Sequence, residues 1–333
     1  MTGAAVHTWL TRTLGIEVPV IQAPMARVSE GSLAAAVSRA GALGMIGVGP
    51  AATAAYVLDQ AQVATESSRP YGIGLLAWAL ARDPAPLAAA LDTDAALVSV
   101  SFGDFEDPVQ QVKAAGKLAA TQVGNLADAQ RAERAGVDLL VVRGREAGGH
   151  GRDEVSTLPL LQMVLDTVEL PVVAAGGVAN ARGLAAVLAA GGAGAWAGTA
   201  FLCCSESSLP AAARERLIAA DDKATVYGRV FDVAQRAAWP REYGGRALRN
   251  PFFEAWQGRE DELAADDATL AVYAEAQRAG DYDIAVIYAG QGASLLTSES
   301  AAADVVADFA RGAVAAAHRA GDRGHTAGAG LGQ

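Results

Sequence analysis

The sequence predicts an α/β chain folded as a (β/α)8 TIM barrel, with a lid segment and further helices after it. Three observations carry this reading. Strand-length apolar runs and helix-length segments alternate eight times within residues 1–220, the count of a closed barrel, whereas an open doubly wound sheet usually has five to seven strands. The runs are continuous rather than alternating, as in strands buried on both faces. The links between units are short and rich in Gly.

In chain order, Val18 to Met25 reads as a first strand ending in a Pro-containing turn. A helix follows over Ser29 to Arg39, with Ser29 as N-cap and Gly41 just past the end. The next strands and helices are Leu43 to Val48 with Ala52 to Ala64, Tyr71 to Trp78 with Pro84 to Leu91, and Leu97 to Phe102 with a helix from Asp107, where Pro108 lies in the first turn. Lys117 to Val123 precedes a helix over Leu126 to Ala135, and Val137 to Val142 precedes one over Leu158 to Val168. Pro171 to Ala175 with Ala181 to Ala190, and Ala195 to Phe201 with Leu209 to Ala220, complete the eight.

After Ala220 the texture changes. Residues 221–320 are read as a lid and a C-terminal helical segment packed on the barrel of residues 1–220. Arg229 to Asn250 contains Trp239-Pro240, Tyr243-Gly244-Gly245 and several arginines, and reads as an irregular connection of the kind that forms lids or binding segments. Asp267 to Arg278 reads as a helix, Ile284 to Tyr288 as a short apolar run, and Ser300 to Arg319 as a last amphipathic helix. Gly321 to Gln333 is glycine-rich and reads as a disordered tail.

Hydrophobic residues make up 52% of the 333 and charged residues 19%, enough to bury a large core. The net charge of -11 argues against nucleic acid or an anionic membrane as partner. No run of eighteen apolar residues is present, and Met1 to Leu10 lacks the basic start and apolar core of a signal peptide. The two cysteines, Cys203 and Cys204, are adjacent, and neighbouring cysteines make a strained bridge. A reduced, cytoplasmic chain is the expectation.

The chemistry centres on Gly144-Arg145-Glu146-Ala147-Gly148-Gly149-His150-Gly151, which follows the sixth strand. Glycines let backbone approach a ligand closely, and His150 carries a proton that is mobile near neutrality. The C-terminal ends of barrel strands are where such groups act. After the seventh and eighth strands stand Gly176-Gly177 and Gly198-Thr199, the places where barrels form phosphate sites from backbone N–H groups and the start of a following short helix. A phosphate-bearing cofactor is expected there. No P-loop, no complete Rossmann fingerprint and no nucleophile elbow is present, and the four histidines do not cluster with cysteines or acids at metal-ligand spacing.

With these motifs in hand, the chain resembles the nitronate monooxygenase family (formerly 2-nitropropane dioxygenases), FMN-dependent barrel enzymes. The resemblance rests on Gln22-Ala23-Pro24-Met25, Glu146-Ala147-Gly148-Gly149-His150, Ala174-Ala175-Gly176-Gly177-Val178, Gly198-Thr199-Ala200-Phe201 and Tyr288-Ala289-Gly290-Gln291-Gly292. It implies that Ala23, Pro24 and Met25 line the isoalloxazine ring, with Gln122 near its polar edge. It also implies that Gly149, Gly176, Gly177, Gly198 and Thr199 hold ring and phosphate through backbone contacts, and that His150 is the acid/base group. The implied partners are a small nitronate or related anion and O2, and a homodimer is allowed. Bacterial enoyl-acyl carrier protein reductases carry the same histidine block, so NAD(P)H-dependent reduction of an enoyl thioester is the alternative. Arg27, Arg145, Arg152, Trp196 and Ala197 depart from the family pattern and bear on the substrate; the arginines are either solvated or anion-recognising. Glu146 is read as a loop carboxylate that pairs with Arg145 or caps backbone. Trp239, Tyr243 and Trp256 are read as packing.

Overall fold

The computed structural model describes the backbone of residues 6–326. Eight parallel strands, β1 (Val20–Gln22), β2 (Gly44–Gly47), β3 (Tyr71–Leu76), β4 (Leu97–Ser101), β5 (Leu118–Val123), β6 (Leu139–Arg143), β8 (Val172–Ala175) and β9 (Gly194–Ala197), form one sheet. Its spatial order is β1-β9-β8-β6-β5-β4-β3-β2. A parallel bridge between Ile21 and Leu43 joins the two ends, with Gln22 N–H donating to Leu43 O at 2.9 Å and Leu43 N–H to Val20 O at 3.0 Å. The sheet therefore closes into a barrel.

The continuous apolar strands bury both faces. Met45, Leu97, Leu139, Val141, Val173 and Trp196 fill the interior together with Leu10 and Leu14. Those two leucines come from a helix, Trp9–Leu14, that was not read from the sequence. Leu10 lies against Gly194 at the start of β9, so this helix plugs the N-terminal end of the barrel. Leu10 is fully buried, and its truncation to Ala is expected to cost about 2–5 kcal/mol. The opposite faces of the strands, such as Ile73, Val98, Val100 and Val142, pack on the surrounding helices. Trp196, singled out as a departure, is thus a barrel-filling side chain.

A second sheet sits over the C-terminal rim. Its antiparallel strands are β7 (Gly149–Gly151), β10 (Thr225–Gly228) and β11 (Gly244–Leu248), in the order β10-β11-β7. The segment expected to be irregular, Arg229 to Asn250, therefore contains a helix, Val230–Ala234, and β11. Both glycine-rich partners have low strand propensity; what makes them strands is pairing with each other, Gly245 opposite His150 and Gly228 opposite Gly245. Val226, Phe231, Phe253, Leu270 and Tyr273 give this lid its own core.

Several boundaries move. Ser29 does not cap the first barrel helix, which spans Gly31–Arg39 with Glu30 at the N-cap; Ser29 Oγ instead accepts from Met25 N–H at 2.6 Å and holds the turn after β1. The third strand ends at Leu76, leaving Trp78 in a helical turn, Ala77–Leu80. The eighth ends at Ala197, and Thr199–Phe201 is a 3-10 turn. Ile284 to Tyr288 contributes only a bridge between Tyr288 and Ala247. The last helix runs from Ala302 to Thr326 and packs on the barrel helix Ala181–Ala189. It takes in the first residues of the expected tail, and residues 327–333 lie outside the described residues.

Candidate active site

The C-terminal rim gathers the residues singled out from the sequence. Beyond β1, Pro24 packs on Gly74 of β3 and Met25 on Gly47 of β2, where a Cβ in place of either glycine would collide. Ala23 N–H donates to Ala197 O at 2.8 Å, and Ala23 Cβ and Met25 Sδ approach the position of a Cβ on Gly198 within 3.5 Å. Gln22, beside them, is spent on structure: it is fully buried, its Oε1 accepts from Met45 N–H at 3.0 Å and its amide donates to Ala23 O. Gln122 lies near the end of β5, half-buried, with its N–H on Ser101 Oγ at 3.0 Å.

β8 and β9 are paired neighbours, so the loops Gly176-Gly177 and Gly198-Thr199 stand side by side. Among the described residues, the N–H groups of Gly176, Gly177, Gly198 and Thr199 find no acceptor. Gly177 has φ +69° with open space where a Cβ would stand, a conformation and clearance that glycine alone provides cheaply. Adjacent unpaired N–H donors with no side chain in the way suit a phosphate dianion. The N-terminus of the helix Ala181–Ala189 is not part of that donor set: Asn180 Oδ1 takes the N–H of Arg182 and Gly183, and Asp308 takes that of Ala181 at 2.8 Å. The short turn at Thr199 is the one that remains.

The histidine loop is held from below by Arg143, the last residue of β6. This guanidinium is 5% exposed and donates from Nη2 to the carbonyls of Ala147, Gly148 and Gly149 at 3.2, 2.9 and 2.8 Å. Burial pushes its pKa down to about 10, which leaves it charged near neutrality. A Cβ on Gly151 would overlap the guanidinium as it stands, so the loop passes Arg143 as bare backbone. Glu146 accepts from Thr157 N–H at 3.0 Å and Thr157 Oγ1 at 2.9 Å, so it caps the next helix, the backbone role expected of it. Gly290 N–H donates to Thr199 Oγ1 at 3.0 Å and Gln291 N–H to Glu146 O at 2.9 Å, tying the loops after β6 and β9 together.

His150 itself is enclosed by the lid. Its Nε2 lies 2.6 Å from Asp232 Oδ1, on the helix Val230–Ala234; the side chains are 9% and 2% exposed. Trp239 stacks on the imidazole with centroids 3.7 Å apart and planes 6° apart, and the Tyr288 ring is 5.0 Å away. Tyr288 donates to Asp232 Oδ1 at 3.5 Å and accepts from Gln235 Nε2 at 3.3 Å. Burial, then the Asp232 charge, raises the Tyr288 phenol well above its ordinary range, so it acts as a neutral donor. A carboxylate beside Nε2 favours the tautomer with the proton on that nitrogen and the lone pair on Nδ1.

Asp232 was missed from the sequence altogether, since it lies 82 residues from His150 with no local signal. Trp239, read as packing, covers the histidine. Tyr243 does pack, edge-on to Phe102, and Trp256 belongs to the lid core. Arg145 pairs with Asp153, and Arg152 with Asp128 and Glu154 beneath Tyr243, so neither is free for an anion; Arg27 is exposed. Among the described residues no group of His, Cys, Asp and Glu could hold a metal, and no helix is long and apolar enough to cross a membrane.

A closed barrel with unpaired backbone donors and a carboxylate-paired histidine at its C-terminal rim is suited to an anionic group and to proton transfer. The nitronate monooxygenase family profile matches residues 7–90 and 81–312. A nitronate monooxygenase of Paraburkholderia phytofirmans is 33% identical, with 90% of this chain and 93% of that protein aligned. Among solved structures, FabK from Thermotoga maritima superposes with a TM-score of 0.83 at 27% identity, covering 96% of this chain and 99% of that one. A nitroalkane oxidase from Streptomyces ansochromogenes gives 0.79 at 30% identity, with 93% and 99% covered. The chain belongs to the nitronate monooxygenase family, and membership implies a flavin cofactor, a small-molecule substrate and O2.

Proposed function

We propose that this protein oxidises alkyl nitronates with O2 to a carbonyl compound and nitrite, with FMN as the resident flavin. The observation that carries the reading is the His150–Asp232 pair at 2.6 Å on the rim above the phosphate cradle. Family membership and the nitroalkane oxidase neighbour support it. When bound, the flavin supplies the electron chemistry.

The residues of the chain do the rest. Gly176, Gly177, Gly198 and Thr199 bind the phosphate through N–H groups, and Gly149 belongs to the histidine loop, which approaches Gly176 at Ala147. Ala23, Pro24 and Met25 line the ring, and Gln122 bonds its polar edge. His150 Nδ1 takes the α-proton of a neutral nitroalkane or hydrogen-bonds a nitronate oxygen. Asp232 holds the ring in the tautomer that leaves Nδ1 free and stabilises the imidazolium that forms. Trp239 covers the imidazole face and keeps water from it.

A second reading has an observation in its favour: the FabK structure superposes as well as the nitroalkane oxidase does. Under it, NAD(P)H would reduce the flavin and an enoyl thioester would be the substrate. Anaerobic visible spectra separate the two. Bleaching of the flavin bands by ethylnitronate alone is expected; bleaching by NADPH alone would move the assignment to the reductase.

A further inference from the structure

Six buried side-chain polar atoms lack a hydrogen-bond partner among the described residues, and three of them surround the Trp239–His150 stack. One is Asp232 Oδ2, the spare oxygen of the histidine's carboxylate. The other two are donors. Arg229 Nε has no acceptor, and the same guanidinium makes only one long bond, from Nη2 to Trp239 O at 3.4 Å. The indole Nε1 of Trp78 has no acceptor either, and its ring lies 5.2 Å from that of Trp239.

Arg229 is unusual among the half-buried arginines. Arg131, Arg152, Arg214 and Arg246 each pair with a carboxylate, and Arg143 donates to three carbonyls. Arg229 has neither. It follows Gly228, which stands across the lid sheet from His150 through Gly245, and it begins the helix that carries Asp232. Arg229 reaches the Trp239 carbonyl and Trp78 lies against the Trp239 ring, so two unpaired donors flank one residue of the lid, and a buried donor without an acceptor is costly unless a ligand provides one.

We propose that Arg229, with the Trp78 indole N–H, binds the anionic oxygens of the substrate and so sets the preference for a nitronate over its neutral nitroalkane. This rests on the nitronate reading above. A nitronate presents two oxygens sharing one negative charge, which a guanidinium fork matches; the neutral acid offers the same oxygens without the charge. Phe102 holds the Trp78 backbone in place: it has φ +67°, its carbonyl accepts the backbone N–H of Trp78 at 3.1 Å, and its ring packs edge-on against Trp239. A bulky residue in the left-handed region is strained, and such strain persists where surrounding contacts enforce it.

The test uses flavin-loaded wild type, Arg229→Gln, Arg229→Lys and Trp78→Phe. Nitrate, a planar oxyanion that cannot react, is titrated and followed by the flavin spectrum, and KM and kcat are measured for ethylnitronate and nitroethane. Losing a charged hydrogen bond in Arg229→Gln should weaken nitrate binding and raise the ethylnitronate KM by roughly 10- to 100-fold, with a much smaller change for nitroethane. Arg229→Lys should recover part of the loss, and Trp78→Phe should cost about 3- to 10-fold. Wild type that binds no nitrate, or an Arg229→Gln enzyme with wild-type nitrate affinity and KM, would overturn the proposal. Should Arg229→Gln fail to fold, Trp78→Phe decides, with unchanged nitrate affinity counting against it. Wild type that ignores ethylnitronate would sink the nitronate reading, while the nitrate comparison still judges Arg229.

Discussion

At the barrel rim the candidate site is made of backbone, and in the lid it is made of side chains. Gly176, Gly177, Gly198 and Thr199 present N–H groups from loops fixed by the neighbouring strands β8 and β9. Across the site, Asp232, Trp239 and Tyr288 surround His150 with a carboxylate, an indole face and a phenol. Backbone donors set by a closed sheet hold an invariant group such as a phosphate. Side chains on a separately packed lid can change identity without disturbing the barrel. Under the proposed function, cofactor retention falls to the rim, and proton handling and substrate choice to the lid.

The sharpest way to break that division is His150→Gln. Loss of the acid/base group should lower kcat/KM on nitroethane by about 10²- to 10⁴-fold while flavin content stays at the wild-type level. An enzyme that lost its flavin instead would place His150 in the rim's job. The reciprocal change is Gly177→Val, which puts a β-branched side chain at φ +69° in the open space of the cradle. The side chain would occupy the space open to a bound phosphate, so flavin affinity measured by dialysis should fall about tenfold or more. Unimpaired affinity would remove Gly177 from the cradle.

A smaller effect tests the barrel apart from the site. Burial pushes Cys203 up to about 11 and Cys204 up to about 12, from 9.0. Both thiols are neutral in the folded chain, where Cys204 is fully buried, whereas unfolded thiols ionise near 9. Their contribution to stability is complete below pH 9 and is lost as pH rises through 11 to 12. Urea unfolding at pH 8 and pH 10 should show a lower midpoint at the higher pH, and a thiol reagent at pH 8 should label neither cysteine until the chain unfolds. Prompt labelling of the native protein would contradict the packing of this region.

The barrel was legible because its signals are local. Each strand is a continuous apolar run and each helix follows within a few residues, so Val137 to Val142 or Pro171 to Ala175 can be recognised alone. The glycine pairs after β8 and β9 were legible for the same reason. The lid was not, because its order comes from distant pairing. Gly149–Gly151 and Gly244–Leu248 are poor strands until they meet, and Asp232 is an ordinary acidic residue until that pairing brings it under His150. The plug helix Trp9–Leu14 was overlooked through its brevity: six residues do not establish a helical period. Ser29 looked like a helix cap, yet it was recruited by the turn after β1.

The account turns on Asp232 acting through His150, and Asp232→Asn tests this most directly. The amide keeps the shape and a hydrogen bond to Nε2 but removes the charge that fixes the tautomer and stabilises the imidazolium. Flavin-loaded Asp232→Asn, assayed on nitroethane and on ethylnitronate, should lose about 10²-fold on nitroethane, which must give up a proton, and much less on the already deprotonated nitronate. Equal activity to wild type on both substrates, or an equal loss on both, would contradict the account.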